Sequence, residues 1–334
     1  MVWHQLQREL SQQGYQKAAE LLDTFNQHDN KLTLIQLIFK NCNLAVINFP
    51  DDIRILYTQL NALSSYDKQY EKMVVRDFET ILLEIVKPNS NSAMIFMEAN
   101  ELQEVIALYE KAMQADSGAQ LALGKYYKAL GRDEWAFAWY EAAANAGNLD
   151  AIYWLGNYYF DGIIVAKNFE KAFHYYKEAA LKGHADAMNN YADMYFLGEY
   201  VEKNDKRAFE LFTIAADRGV AESMYTLGYL YENGIGTELN AEKAKHWFTQ
   251  SALNGDDFAA NRLGNEAVEN GQGEEALRWY KLAADRQDTY GEYNLGMCYE
   301  SGIGTSINRK KAKYWYQKAA LKGDEEAKAK LKEF

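Results

Sequence analysis

A motif that recurs every 32 or 36 residues fills most of the second half of this 334-residue chain. Each copy opens on a small residue and has a Leu-Gly pair or a variant of it four residues later, and five of the six copies have a Tyr four residues after that Leu or its replacement. The copies begin at Ala119, Ala151, Ala187, Ser223, Ala259 and Gly291. A period of this length predicts an array of small units, each of which buries its apolar face only against its neighbours.

Each copy has the pattern of two helices. In the first helix, Leu155 and Tyr159 are four residues apart and share a face. The Gly beside the Leu costs about 1 kcal/mol in a helix interior, so we expect it to let the second helix approach closely. The second helix carries an aromatic or large residue that we predict to be a buried knob, followed by a small pair that receives the next unit. These knob positions are Trp139, Tyr175, Leu211, Trp247, Trp279 and Trp315.

The helix A-x-x-x-L-G-x-x-Y, followed by K-A-x-x-W-Y-x-x-A-A-x-x-G, resembles the Sel-one-like repeat (SLR), a branch of the tetratricopeptide superfamily. The resemblance covers about residues 119–334, with departures at Tyr191-Ala192, Ala267 and Gln287. It implies an all-α fold, a right-handed α-solenoid of two-helix repeats, which binds other proteins and is usually not catalytic.

We divide the chain by this pattern. Residues 1–92 are predicted to form a divergent all-helical N-terminal domain, in which a strand over 44–49 is the alternative, and 93–118 a degenerate repeat or transition. Six repeats follow, over 119–150, 151–186, 187–222, 223–258, 259–290 and 291–326. Residues 327–334 are predicted to cap the last repeat, since the end of a solenoid must cover its exposed core.

Composition narrows the choice of partner. Lys and Arg total 36 against 48 Asp and Glu, a net charge of −12. This balance argues against nucleic acid and against anionic membrane surfaces, and it favours a basic protein partner. The start, MVWHQLQREL, lacks the apolar stretch of a signal peptide, and Cys42 and Cys298 form no disulfide framework, so we expect a cytoplasmic protein.

No pattern for catalysis, a metal or a cofactor emerges from the sequence. The two G-x-G runs, at Gly234 and Gly302, occupy equivalent places in their repeats and are interpreted as turns. His174 and His246 are also equivalent, two repeats apart, and so too distant to share a metal ion. We therefore assign no catalytic residue, no metal ligand and no cofactor.

The first helices offer a candidate binding surface. If the Leu and Tyr of each motif face the core, the residues two and six positions after each repeat start lie on the opposite, concave side. Asn can donate to and accept from a peptide backbone, and Tyr supplies a large contact area at low entropic cost. The predicted groove residues are Tyr153, Asn157, Asn189, Asp193, Tyr225, Tyr229, Asn261, Asn265 and Tyr293. Two alternatives remain. These positions are simply exposed to solvent, or the partner binds to the N-terminal domain or to the convex face instead.

Three functional hypotheses follow. The first is a non-enzymatic cytoplasmic scaffold of bacterial type, which binds a protein partner in the concave groove. The second, which comes from the resemblance, is an immunity protein that neutralises a toxic secreted effector, and the acidic charge suits it if that toxin is basic. The third, an enzyme with its site in residues 1–92, has no nucleophile, base or ligand spacing in its favour.

Overall fold

The computed structural model describes Leu108, Lys111, Ala112 and residues 114–334. The predicted N-terminal domain over 1–92, with the enzyme site hypothesised there and Cys42, lies outside the described residues. Most of the predicted transition over 93–118 lies outside them too. The division of the chain into these segments therefore stays a prediction.

The described residues form α-helices and contain no β-strand, which confirms the predicted all-helical repeat fold. The thirteen helices of this region are α1 (Ser117–Ala129), α2 (Asp133–Asn145), α3 (Leu149–Asp161), α4 (Phe169–Leu181), α5 (Ala185–Leu197), α6 (Asp205–Asp217), α7 (Ala221–Asn233), α8 (Ala241–Leu253), α9 (Asp257–Glu269), α10 (Gly273–Asp285), α11 (Thr289–Ser301), α12 (Arg309–Leu321) and α13 (Glu325–Leu331). The first helix of each repeat begins two residues before the repeat start that the sequence pattern predicts.

The chain divides into two compact units, Met1–Asn168 and Phe169–Phe334. The described residues of the first unit include α1 to α3, and the second unit contains α4 to α13. Within each unit every helix packs against the next one along the chain. In the second unit α9 also contacts α11, so first helices of successive repeats lie side by side.

Asparagine closes the longer loops and starts the helices that follow them. In the 36-residue repeats, the Asn204, Asn240 and Asn308 side chains each accept the backbone N–H three residues on, which caps α6, α8 and α12. The backbone N–H of Asn240 also donates to the Tyr231 carbonyl oxygen at 2.8 Å and ties the loop back to α7. In the two 32-residue repeats, α2 and α10 begin without a side-chain cap. The four extra residues therefore provide a closed, capped loop.

The buried aromatic of the second helix lies one residue after the predicted position. Trp139, Leu211 and Trp279 are buried as expected, but the prediction is wrong for Tyr175, Trp247 and Trp315, which are half-buried. The residue after each knob position is buried in all six repeats. These residues are Tyr140, Tyr176, Phe212, Phe248, Tyr280 and Tyr316. The reason is the Leu-Gly glycine: within a repeat, Gly228 faces the ring of Phe248, and Gly264 faces that of Tyr280.

The last helix packs on the final repeat. Ala327 of α13 is fully buried, and Leu331 and Phe334 pack against the cluster around Tyr316. The Arg309 guanidinium lies 4.9 Å from the centre of the Phe334 ring. Leu331 and Phe334 thus pack on the core of the sixth repeat, and the cap over 327–334 stays a prediction.

Candidate protein-binding groove

The predicted groove residues all lie on first helices, as their spacing requires. In the first unit, Tyr153 and Asn157 lie half-buried on α3. The other seven belong to the second unit: Asn189 and Asp193 on α5, Tyr225 and Tyr229 on α7, Asn261 and Asn265 on α9, and Tyr293 on α11. The structure brings some of these side chains together and separates others.

A groove of about 680 Å³ runs across α7, α9 and the start of α11. Three aromatic side chains line it, Tyr225, Phe258 and Tyr290, together with the amides of Asn261 and Asn265. Three of the nine predicted residues thus share one concavity, built from three consecutive repeats. Tyr229 and Tyr293 do not belong to its lining.

Tyr225 joins this groove to the core. Its ring centre lies 5.2 Å from that of the buried Phe248 and 5.2 Å from that of Phe258. Phe258 is 68% exposed. The Tyr225 ring therefore packs α7 against the buried Phe248 of α8 as well as lining the groove.

Asn261 connects α9 to the start of α11. Its Nδ2 donates to Asp288 Oδ2 at 2.7 Å, and the same carboxylate oxygen caps α11 by accepting the Gly291 N–H at 2.6 Å. Asn261 is only 5% exposed, and its Oδ1 is buried and accepts no hydrogen bond. A buried acceptor without a donor is rare in folded proteins and costs about 1–3 kcal/mol.

Asn189 forms an equivalent link two repeats earlier. Its Oδ1 accepts from Ser223 Oγ at 2.7 Å, which connects α5 to α7, and its Nδ2 donates to Asp193 Oδ2 at 3.1 Å. Asn189 is also 5% exposed. Asn189 and Asn261 are thus buried where one first helix meets the first helix of the next repeat, and their contact with a partner stays a prediction.

The Asp193 carboxyl has an unusual protonation equilibrium. Burial, followed by the negative charges of Glu222 and Glu199, raises the pKa of Asp193 to about 7, although the hydrogen bond from Asn189 acts in the opposite direction. Desolvation and like charges both disfavour the ionised form. This carboxyl consequently changes charge near neutral pH.

Two buried tyrosines on second helices hold polar side chains of the first helices. Tyr280 of α10 donates its hydroxyl to Asn265 Oδ1 at 2.6 Å, and Tyr316 of α12 donates to Glu300 Oε2 at 2.6 Å. In the fifth and sixth repeats, therefore, a core tyrosine orients a side chain on the first helix. In the last repeat Tyr293 packs beside Tyr316, with ring centres 5.6 Å apart, and burial followed by the Glu326 carboxylate raises the pKa of Tyr293.

Carboxylates outnumber cations in the groove lining. Glu232, Glu266, Glu269 and Asp288 face a single guanidinium, that of Arg262. Arg262 is bonded to Glu232 Oε1 at 2.5 Å, and its guanidinium lies 4.2 Å from the centre of the Phe248 ring. Glu266 lies 4.0 Å from Lys245 Nζ, at the limit of an ion pair. The groove therefore has a negative balance that favours a cationic ligand.

Sequence reasoning missed Phe258 and Tyr290, which form the rim of the groove. Both occupy the second residue of a first helix, where the earlier repeats have Gly118, Asp150, Asp186 and Glu222. An aromatic residue at that position only in the last two repeats is a signal that the period could have revealed. It places exposed aromatic rings at the starts of α9 and α11.

Comparison with known proteins agrees with this architecture. The Sel1 repeat matches residues 117–148, 149–184, 185–220, 221–256, 257–288 and 289–324, and each match starts where a first helix starts. The chain belongs to the Sel1 repeat family. The predicted resemblance to Sel-one-like repeats is thereby confirmed.

Two solved Sel1-type structures share the fold. One is a protective antigen of uropathogenic Escherichia coli strains that displays an SLR fold, with a TM-score of 0.56 and 28% identity over 68% of this chain and 50% of that one. The other is a Sel1 repeat protein from Oxalobacter formigenes, with a TM-score of 0.53 and 27% identity over 62% of this chain and 86% of that one. This chain thus spans half the length of the first relative.

A shorter match links the repeats to a mammalian protein. The chain is 37% identical over 59 residues to the DAP3-binding cell death enhancer 1 of Rattus norvegicus, a match that covers 18% of this chain and 12% of the rat protein.

Among the residues that the structure describes, every helix is too short or too polar to cross a membrane.

Proposed function

We propose that this protein is a non-enzymatic, cytoplasmic interaction scaffold that holds an extended segment of a protein partner in the groove across α7, α9 and α11. Sel1 repeats are a protein-interaction fold, so the family supports a binding role. The observation that carries the proposal is the groove itself, in which Tyr225, Asn261 and Asn265 meet the exposed rings of Phe258 and Tyr290. Aromatic anchors around a concave centre are typical of binding hot spots.

The charge of the chain supports a basic partner. A net charge of −12, together with four carboxylates in the groove lining, would speed the encounter with a positively charged protein. The immunity hypothesis is the narrower form of this proposal, in which the partner is a basic toxin. It would be tested by co-expressing this chain with a toxin encoded beside its gene and scoring rescue of growth by the wild type and by Phe258→Ala.

Site-specific photocrosslinking tests the groove directly. A benzoylphenylalanine placed at Phe258, which is 68% exposed in the groove, is compared with one placed at Leu321, which is 88% exposed at the end of α12. We expect position 258 to capture one defined partner protein, identified by mass spectrometry, and position 321 to capture none. Capture from position 321 alone would refute the groove as the binding site.

A binding measurement with the captured partner completes the test. Because Phe258 is exposed, Phe258→Ala should leave the fold intact while it weakens binding by about 1–2 kcal/mol in titration calorimetry. Leu321→Ala is the matched control, since it removes a similar exposed apolar side chain outside the groove lining. Equal affinities for these two variants would contradict the proposal.

A further inference from the structure

The loops of the third, fourth and sixth repeats each pack on the second helix of the preceding repeat. In the fourth repeat, a Cβ at Gly236 would collide with the Asp205 carbonyl oxygen at the start of α6. In the sixth repeat, Gly304 has the same relationship to Gly273 at the start of α10. The equivalent residue of the third repeat is Tyr200, which packs on α4. Each of these loops therefore covers the start of a second helix.

The fifth repeat has no such loop, because the turn that joins α9 to α10 is four residues shorter. A cavity of about 560 Å³ lies where this loop would pack, between the N-terminal part of α8 and the C-terminal part of α9. Its lining consists of Ala241, Glu242, Lys245, His246, Thr249 and Glu266. Among the described residues, the start of α8 thus lacks the cover that the starts of α6 and α10 have.

Glu266 shows the same difference on α9. The equivalent positions of the 36-residue repeats are all at most 1% exposed, and they hold Tyr158, Met194, Leu230 and Cys298. The Glu266 side chain is 42% exposed. A carboxylate at a position that is otherwise buried indicates a site open to water or to a ligand.

The third repeat shows which side chain fits such a place. The Tyr200 hydroxyl donates to Glu170 Oε1 of α4 at 3.1 Å. The centre of the Tyr200 ring lies 5.5 Å from that of Phe173 and 6.2 Å from that of His174. Tyr200 has a φ of +67°, a left-handed conformation that is unfavourable for a residue with a Cβ. The contact with α4 therefore offsets strain in the loop.

The cavity repeats two of the side chains that contact Tyr200. Glu170 and His174 are the second and sixth residues of α4, and Glu242 and His246 are the second and sixth residues of α8. Among the second helices of the described region, only α4 and α8 combine these two residues. Both Glu242 and His246 are exposed. The cavity therefore presents a carboxylate and an imidazole at the same helical spacing that receives a tyrosine on α4.

The charges of the lining favour a neutral phenol over a phosphorylated one. Lys245 replaces Phe173 and lies 4.0 Å from Glu266, so these two charges balance. The Lys245 ammonium also attracts the face of an aromatic ring. Glu242 remains as an acceptor for a hydroxyl, and its carboxylate would repel a phosphate group.

We propose that the cavity between α8 and α9 binds a tyrosine side chain from a loop of a partner protein, with the hydroxyl donating to Glu242 and the ring against His246. A volume of about 560 Å³ is of the size that holds a small ligand. This inference goes beyond the proposed function, since the groove crosses α7, α9 and α11 and shares only Glu266 with the lining of the cavity.

Titration of the full chain with N-acetyltyrosinamide tests the cavity. The histidine ring signals are followed by NMR, and His246→Gln identifies the signal of His246. We expect a saturable shift of that signal and little change for His174, whose site already holds Tyr200. N-acetylphenylalaninamide should bind about tenfold more weakly, because it cannot donate to the carboxylate. An unchanged His246 signal, or equal binding of the two amides, would overturn the proposal.

Substitutions then assign the hydrogen bond. Glu242→Gln should weaken binding of the tyrosine amide about fivefold and leave the phenylalanine amide unaffected, because only the charge of the acceptor changes. Glu274→Gln is the matched control, since Glu274 is the exposed second residue of α10. Phe258→Ala should leave the His246 shift in place, because Phe258 lies outside the lining of the cavity. Loss of the shift in Phe258→Ala but not in Glu242→Gln would place the amide in the groove and refute the cavity.

A loop transplant tests the same contact without a free ligand. Residues 270–272 are replaced by the seven residues 198–204, which gives the fifth repeat the loop that carries Tyr200. This transplant should unfold about 2–4 °C higher than the same transplant with Ala at the tyrosine position, since only the tyrosine fills the cavity on α8. Equal unfolding temperatures of the two transplants would contradict a tyrosine site.

Discussion

The ring of Tyr280 lies directly over Gly264, so close that a Cβ at position 264 would come within 2.5 Å of Tyr280 Cε1. Gly228 has the same relationship to Phe248, with the nearest ring carbon at 2.8 Å, and Gly296 to Tyr316. In these repeats the glycine of the Leu-Gly pair therefore contacts the second aromatic residue of the paired helix.

Gly264→Ala tests this contact. The added methyl group must displace the buried Tyr280 ring, and overpacking of this kind costs about 1–3 kcal/mol even though Ala favours a helix. The same displacement should loosen the hydrogen bond from Tyr280 to Asn265 at the groove. Urea unfolding at equilibrium would measure the loss of stability.

Gly271→Ala is a suitable comparison for that experiment. Gly271 has a φ of +70° and no atom within 4 Å of its missing Cβ, so this substitution probes backbone strain without a clash. If Gly264→Ala unfolds at the urea concentration of the wild type, the ring does not pack where the structure places it.

The two aromatic positions of a second helix should differ in energetic weight. Phe248→Ala is expected to cost about 3–5 kcal/mol, because Phe248 is 2% exposed and packs on Gly228. Trp247→Ala should cost about 1–2 kcal/mol, because the indole is half-buried despite its larger size. The unfolding midpoints of the two variants measure these losses. A larger loss for Trp247→Ala than for Phe248→Ala would show that Trp247 is the buried knob, as the sequence pattern predicts.

The period predicts the helix pairs and the concave face, but it cannot resolve single positions. Trp247 and Phe248 are adjacent and both apolar, and only the position of Gly228 on the partner helix decides which one is buried. The same limit applies to the site. Helical phase alone assigns Asn189 and Asn261 to a partner, whereas their bonds to Ser223 and Asp288 depend on how consecutive first helices meet.

Gln287 occupies a backbone conformation that the other repeats reserve for glycine. Its φ is +68°, whereas Gly255 and Gly323 fill the equivalent positions. We expect Gln287→Gly to stabilise the protein by about 0.5–1 kcal/mol, since relief of the left-handed strain exceeds the added freedom of the unfolded chain. Thermal unfolding measures this gain.

The reverse substitution provides the control for Gln287. Gly147 has a φ of +84° and open space around its missing Cβ, so Gly147→Gln should lower stability by about 1 kcal/mol. A neutral effect of both changes would mean that this turn tolerates side chains without strain.

Asp193 should make stability depend on pH in the neutral range. Burial and the charges of Glu222 and Glu199 raise the pKa of Asp193 from 3.8 to about 7, so the folded protein holds a proton that the unfolded chain releases. The stabilisation from this proton is complete below about pH 4 and is lost as the pH rises through 7. Asp193→Asn keeps an acceptor for Asn189 and removes the titration. It should therefore be at least about 1 kcal/mol more stable than the wild type at pH 8, and nearly equal to it at pH 4.

Denaturant unfolding between about pH 4 and pH 8 would measure that difference, with Asp186→Asn as the control because Asp186 is exposed on the same helix. Between about pH 4 and pH 8, the free energy of unfolding should decline less in Asp193→Asn than in the wild type or in Asp186→Asn. Parallel stability curves for the wild type and Asp193→Asn would show that the carboxyl ionises without penalty, and that Asn189 and the surrounding solvent compensate for its burial.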